Sequence, residues 1–262
     1  MNTEVVRLDL RLRRRSVIGF AVGMALYLVV IVVLYPTFKD ETGLNDLTKG
    51  NSALAALFGA SGSLTSPVGW LNANAYANFL PLIVLVITLG YGASCVAGQD
   101  EDGTLSMVVT LPRSRRQILV QKAVVLALVA LPTAVVSVLV TLLGRAFELD
   151  IDVWYLIGTT LAILLLGVGL GGLAMFVGAL TGARGEALGT SSAVAATMYL
   201  ISSLAPVTDW IHPLRYLSLF YWSVGNQQLA NGVDPGAFVV LFLVAAALLV
   251  AAALAFDRLD VQ

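Results

Sequence analysis

Histidine and cysteine are almost missing from this sequence, which holds one of each, His212 and Cys95, in 262 residues. A lone cysteine cannot close an intrachain disulfide, and no Cys/His group stands at metal-ligand spacing. His212 lies beside Pro213, without the neighbours that a triad or a metal centre requires. Charge is scarce too: 12% of the residues are charged, about half the roughly 25% of a soluble domain. Fifteen Lys and Arg oppose sixteen Asp and Glu, which excludes the basic face that nucleic acid needs. No G-x-x-x-x-G-K-[ST] occurs, so the chain has no P-loop of its own to cradle nucleotide phosphates.

What fills the sequence instead is apolar. Hydrophobic residues make up 58% of it and the mean hydropathy is +0.89, more than a water-soluble core of this length uses. A helix needs about 20 apolar residues to cross roughly 30 Å of hydrocarbon, and six uncharged or nearly uncharged runs meet that length. They cover residues 17–35, 79–97, 118–143, 154–180, 187–206 and 237–256. The fifth, rich in Ser, Thr and Ala, is the weakest. The first has a basic front like a signal peptide, but no small-residue cleavage site clearly follows it, and it reads as a retained span. The fold class is therefore all-α: one polytopic domain over residues 1–262 with six transmembrane helices.

Orientation follows from the cations in the connections. With the N-terminus inside, eleven Lys and Arg fall on the cytoplasmic side and four on the other. Both termini are then cytoplasmic. Residues 1–16 read as an interfacial helix, with Val5, Leu8 and Leu12 on one face and Arg7, Arg11, Arg14 and Arg15 on the other. Lys122, one turn inside the third run, is expected to snorkel to the interface, and Pro132 to kink that helix. The external connection 36–78 has Leu54, Leu57 and Phe58 at helical spacing, which predicts a surface helix. The external segment 207–236 carries Trp210, Tyr216, Phe220, Tyr221 and Trp222, aromatics typical of the headgroup zone. Cys95 reads as a small packing residue. Gly167 and Gly171 have the small-xxx-small spacing of a close helix contact, within the chain or across a dimer.

The connection 99–117 has the most internal design. Gly103 breaks the helix before it, Thr104 is placed to cap a short apolar helix from Leu105 to Leu111, and Pro112 stops that helix. Ser114 and Gln117 form a capping box for the next span. Asp100, Glu101 and Asp102 diverge around a helix end with no histidine nearby, so they read as a solvated terminus or as partners for basic groups. No charge stands at the centre of a span, which disfavours an ion-coupled path.

The acidic run, Gly103-Thr104-Leu105, the short apolar helix, Pro112-Arg113-Ser114-Arg115 and Lys122 resemble the permease subunits of type-two ABC exporters. The likeness extends to Leu57-Phe58-Gly59, Ser66-Pro67-Val68-Gly69, Ala179-Leu180-Thr181-Gly182 and Leu217-Ser218-Leu219-Phe220-Tyr221. The chain departs from the family at Ser106, where an acidic residue is frequent, and at Leu219, where proline is. The resemblance implies a cytoplasmic coupling helix in connection 99–117 and a re-entrant-like segment before span six. It assigns ATPase coupling to Asp100, Glu101, Gly103, Thr104, Leu105, Pro112, Arg113 and Arg115. The implied protein sits in the cytoplasmic membrane and binds no cofactor itself, with ATP and Mg held by partner ABC ATPase subunits. A second permease subunit, the same or different, completes the pathway for an amphipathic molecule, drug or peptide. Drug, antimicrobial-peptide and nitrous-oxide-reductase-maturation branches all remain open. The rival readings are a scaffold or sensor subunit, which needs no pathway, and a membrane-embedded lipid-modifying enzyme, which needs catalytic groups that are not visible.

Overall fold

The computed structural model describes residues 4–40, 63–103, 115–225, 227–232 and 234–258. Among them every regular element is helical, and six helices are long and apolar enough to cross a membrane. The main helices are α1 (Glu4–Phe38), α2 (Phe79–Ala93), α3 (Arg115–Leu143), α4 (Val153–Thr181), α5 (Arg184–Leu204) and α6 (Pro235–Arg258).

Residues 1–16, expected as an interfacial helix, continue from Glu4 into the first span without a break. No proline intervenes before Pro36, so the change from Arg-rich to apolar sequence changes the surroundings of the helix and not its backbone. At 1.5 Å per residue α1 is about 52 Å long, well beyond a 30 Å hydrocarbon layer. Met24, Leu28, Ile31 and Tyr35, three and four residues apart, are buried, while Val22, Leu26, Val29 and Val33 are exposed. That outward stripe suits lipid, which dissolves what water would reject.

The connection between the first two spans is shorter than residues 36–78, because helix resumes at Pro67. Ser66 caps it: its Oγ accepts from the Gly69 amide at 3.1 Å and donates to the Ser63 carbonyl at 2.7 Å. The second span then runs through a π turn at Asn72–Tyr76, through α2, through a second π turn at Ser94–Gly98, and into a short helix at Gln99–Glu101. The helix predicted around Leu54, Leu57 and Phe58 lies outside the described residues. Helix α3 is continuous through Pro132. On the same side of the bundle as the first connection, Lys39 pairs with Glu148. That hydrogen bond holds the Lys39 ammonium above its usual pKa.

Helix α4 is the hub, packed against α2, α3, α5 and α6. Asp152 starts it, accepting from the Trp154 and Tyr155 amides at 2.8 and 3.1 Å, and Gly182 ends it at φ +66°. Its glycines let the backbones approach. A Cβ on Gly167 would lie 2.5 Å from Val84, one on Gly171 2.7 Å from Leu126, and one on Gly92 of α2 only 2.2 Å from the Gly171 carbonyl oxygen. The contact of Gly167 and Gly171 is therefore with α2 and α3 of the same chain. The segment before α6 dips into the bundle. Ser218 donates to the Met198 carbonyl at 2.6 Å, and Leu219 reaches the middle of α4, where a Cβ on Gly169 would meet it at 3.6 Å.

Gly92→Ala is expected to lower stability by about 1–3 kcal/mol, because its methyl group meets backbone that cannot move aside. Gly23→Ala, whose Cβ enters open space, should leave stability unchanged or slightly raised. Thermal unfolding of the two purified variants checks this. Equal effects would mean that α2 and α4 do not touch at Gly92.

Candidate functional site

Four chain segments meet at the end of the bundle where connection 99–117 leaves it. They are the start of α1, the end of the second span, the start of α3 and the start of α5. The inward positions of α1 are Val6, Asp9, Leu10, Arg13 and Val17. They follow helical spacing, so one face carries a carboxylate and a guanidinium into the bundle. Leu8 and Leu12, expected to anchor that stretch, are exposed on the other side.

Lys122 corrects the sequence reading. Instead of reaching out to the interface it is fully buried. Its Nζ donates to Gln99 Oε1 at 2.6 Å and stands 3.9 Å from Asp9 Oδ2. Tyr91 donates its hydroxyl to the same Asp9 oxygen at 2.8 Å. With acceptors supplied inside, the ammonium does not need water. Arg13 completes the cluster, donating to Ser94 Oγ and lying 4.7 Å over the Tyr91 ring. A buried charge pair of this kind is costly to desolvate and costlier to break, because the survivor remains buried and unpaired.

The acidic run is only partly solvated. Glu101 Oε1 accepts from the Arg184 backbone amide at 2.8 Å, so it caps α5, whose own N-cap residue Ala183 makes no side-chain bond. Asp100 turns toward Gly182, where a Cβ would lie 3.4 Å from its Oδ2. Gly103, exposed at φ +68°, ends the second span, and its amide donates to the Asp100 carbonyl at 3.0 Å. Arg115 stands at the start of α3, and the neighbouring Arg116 donates to Asp257 of α6 at 2.7 Å. Thr104, Leu105, Pro112 and Arg113 lie outside the described residues, as does the predicted short helix.

The arrangement is a brace between helix ends. Among the described residues no group of three His, Cys, Asp or Glu side chains is placed to hold a metal ion. His212 is at the other end, hydrogen-bonded to Arg215 at 2.9 Å. Arg215 also donates to the Tyr216 hydroxyl at 2.7 Å and lies over the Tyr216 and Tyr221 rings. What sequence reasoning missed is Asp9, Tyr91, Gln99 and the burial of Lys122. The available signal was the spacing of Val6, Asp9, Leu10, Arg13 and Val17, which marks an inward face.

A model of the family described as ABC-2 family transporter protein matches residues 3–261. No curated protein matches the chain in sequence.

Removing either partner of the buried pair, by Asp9→Leu or Lys122→Met, is expected to cost about 3–5 kcal/mol. The double variant should lose far less than the sum, since neither charge is then stranded. A thermal-unfolding cycle on the four proteins measures the coupling, and additive losses would refute the pairing.

Proposed function

Because the chain belongs to the ABC-2 family of transporter proteins, we propose that it is the membrane subunit of an ATP-driven exporter whose ATP is hydrolysed by separate cytoplasmic subunits. The observation that carries this reading is the bracing of both ends of connection 99–117. Its first end, up to Gly103, is tied to α1 and α3 through Gln99, Lys122 and Asp9, and to α5 through Glu101. Its second end, from Arg115, is tied to α6 through Arg116 and Asp257. A push on residues 104–114 by another protein is then delivered to five helices at once instead of bending one loop. In this reading Asp100, Glu101 and Gly103 pass the motion on. Thr104, Leu105, Pro112, Arg113 and Arg115 belong to the part that receives it. Both termini and this connection face the cytoplasm of a cell membrane, in keeping with the bias of cations toward that side.

A second permease subunit fits against α5. It is the least buried and least apolar of the six spans. Gly185, Gly189, Ala193 and Thr197 form an exposed stripe four residues apart, and a Cβ on either glycine would meet nothing within 4 Å. Small residues on an open membrane helix favour close helix packing, and hydroxyls prefer a partner or a pathway to lipid. The cargo of such a pathway, walled by Ala, Val, Leu, Gly and Ser, is an amphipathic molecule, drug or peptide.

The test is capture of the ATPase encoded beside this chain by the purified full-length protein, followed by ATP hydrolysis in vesicles with candidate cargoes. Gly103→Val, which strains a left-handed backbone position at about 1–2 kcal/mol, should leave assembly intact and reduce cargo-stimulated hydrolysis several-fold. Failure to bind any ATPase, together with unimpaired transport after residues 103–112 are disrupted, would sink the proposal. Binding without cargo stimulation would instead indicate a scaffold.

A further inference from the structure

One face of the second span carries Leu82, Val86, Gly90, Ser94, Gly98 and Asp102 at intervals of four. These positions line three cavities that run end to end along the second span, the first two between it, α1 and the start of α5, the third between it and α5. The first, about 420 Å³, is polar and is lined by Arg13, Ser94, Gln99 and Arg184. The second, about 150 Å³, shares Arg13, Tyr91 and Arg184 with the first and Val86 and Gly90 with the third. The third, about 650 Å³, is almost wholly apolar, walled by Leu82, Leu85, Leu89, Leu188 and Ala196, and is in the size range of small-ligand sites. From Ser94 to Leu82 the groove extends about 18 Å along the helix, close to the roughly 15 Å depth of one hydrocarbon leaflet.

Two guanidiniums, Arg13 and Arg184, stand in the wall of its polar end, where Glu101 accepts from the Arg184 amide. Asp9 is committed to Lys122 and Tyr91. Among the described residues neither Arg13 nor Arg184 has a carboxylate within ion-pair distance. The stem of Arg184 lies over Gly98, where a Cβ would meet its Cδ at 3.3 Å. Two guanidiniums without an ion-pair partner, at the mouth of an apolar trough of leaflet depth, are complementary to one class of molecule, an anionic amphiphile already dissolved in the membrane.

We propose that this groove binds one anionic phospholipid per chain, its phosphate between Arg13 and Arg184 and an acyl chain lying over Gly90 and Val86 toward Leu82. Guanidinium pairs suit a phosphate better than a zwitterionic head, whose cation they repel. That the polar end opens on the cytoplasmic leaflet follows from the orientation proposed above; the site itself does not rest on it, and lipid retention is read without any transport.

The experiment is native mass spectrometry of the full-length protein, titrated with phosphatidylglycerol, with phosphatidylcholine of the same chains, and with glycerol phosphate. One phosphatidylglycerol per chain should be retained, about ten-fold more tightly than phosphatidylcholine, and glycerol phosphate not at all. Arg184→Gln, which removes no ion pair of the fold, should cut that preference about ten-fold, and Arg13→Gln should do the same. Gly90→Leu, which fills space that is otherwise open, should expel the lipid without lowering the thermal unfolding temperature. Arg14→Gln, on the exposed side of α1, should change nothing. Equal retention of the two lipids, binding unaffected by Arg184→Gln, equal loss with Arg14→Gln, or tighter binding of glycerol phosphate than of lipid would each overturn the proposal.

Discussion

The close approach of α2 and α4 at Gly92 and Gly171 is the constraint on which the rest of the bundle depends. Lipid tails are as apolar as leucine, so membrane helices gain little from hiding hydrophobic area and must gain from contact itself. Two backbones that meet without side chains between them obtain that contact along their whole crossing. Once α2 is held there, Leu126 of α3 fits the space above Gly171, and Ala245 and Leu249 of α6 approach Gly169 and Gly172 on another face of α4. The outer helix α1 then packs on α3. The same crossing fixes the position of the end of the second span, and through it the braced connection.

The polar brace works by the opposite physics. Glycine contacts tolerate small sliding because dispersion is not directional, whereas Asp9, Lys122, Gln99 and Tyr91 must meet at hydrogen-bond geometry or leave a charge stranded in a low dielectric. The middle of the bundle therefore sets the distance between helices, and its end sets their register. That division lets a bundle made mostly of interchangeable aliphatic residues keep a single alignment at the end where connection 99–117 leaves it.

Much of this is legible in the sequence, for reasons that are local. Bilayer thickness dictates the six runs, and charge exclusion marks the ends of the last four to within a turn or so, whereas the first two helices begin about three turns before theirs. A glycine pair four apart on one helix announces a close contact, and Gly103 ends its helix because few other residues adopt its backbone conformation. The Asp9–Lys122 pair is not legible in that way. Its members are far apart in the chain, and the local rule for a lysine one turn into a span is to reach outward. Likewise, the Arg-rich segment before the first run looks like a separate element because its composition changes at Ser16, although nothing there interrupts the helix. Glu101 reads as one of three solvated carboxylates, and only the fold brings the unsatisfied amide of Arg184 to it.

The π turn at Ser94–Gly98 gives the second span a kinematic property that a regular helix lacks. Each such turn holds one residue more than an α-helical path of the same height. If the surplus residue were absorbed, everything beyond it would turn by about 100° around the helix axis, the angle of a single residue at 3.6 per turn. Gln99 and Glu101, which grip Lys122 and the start of α5, lie immediately beyond it. The second span thus carries a built-in joint of rotation at its mouth, with the clasps of two neighbouring helices mounted on the side that would revolve.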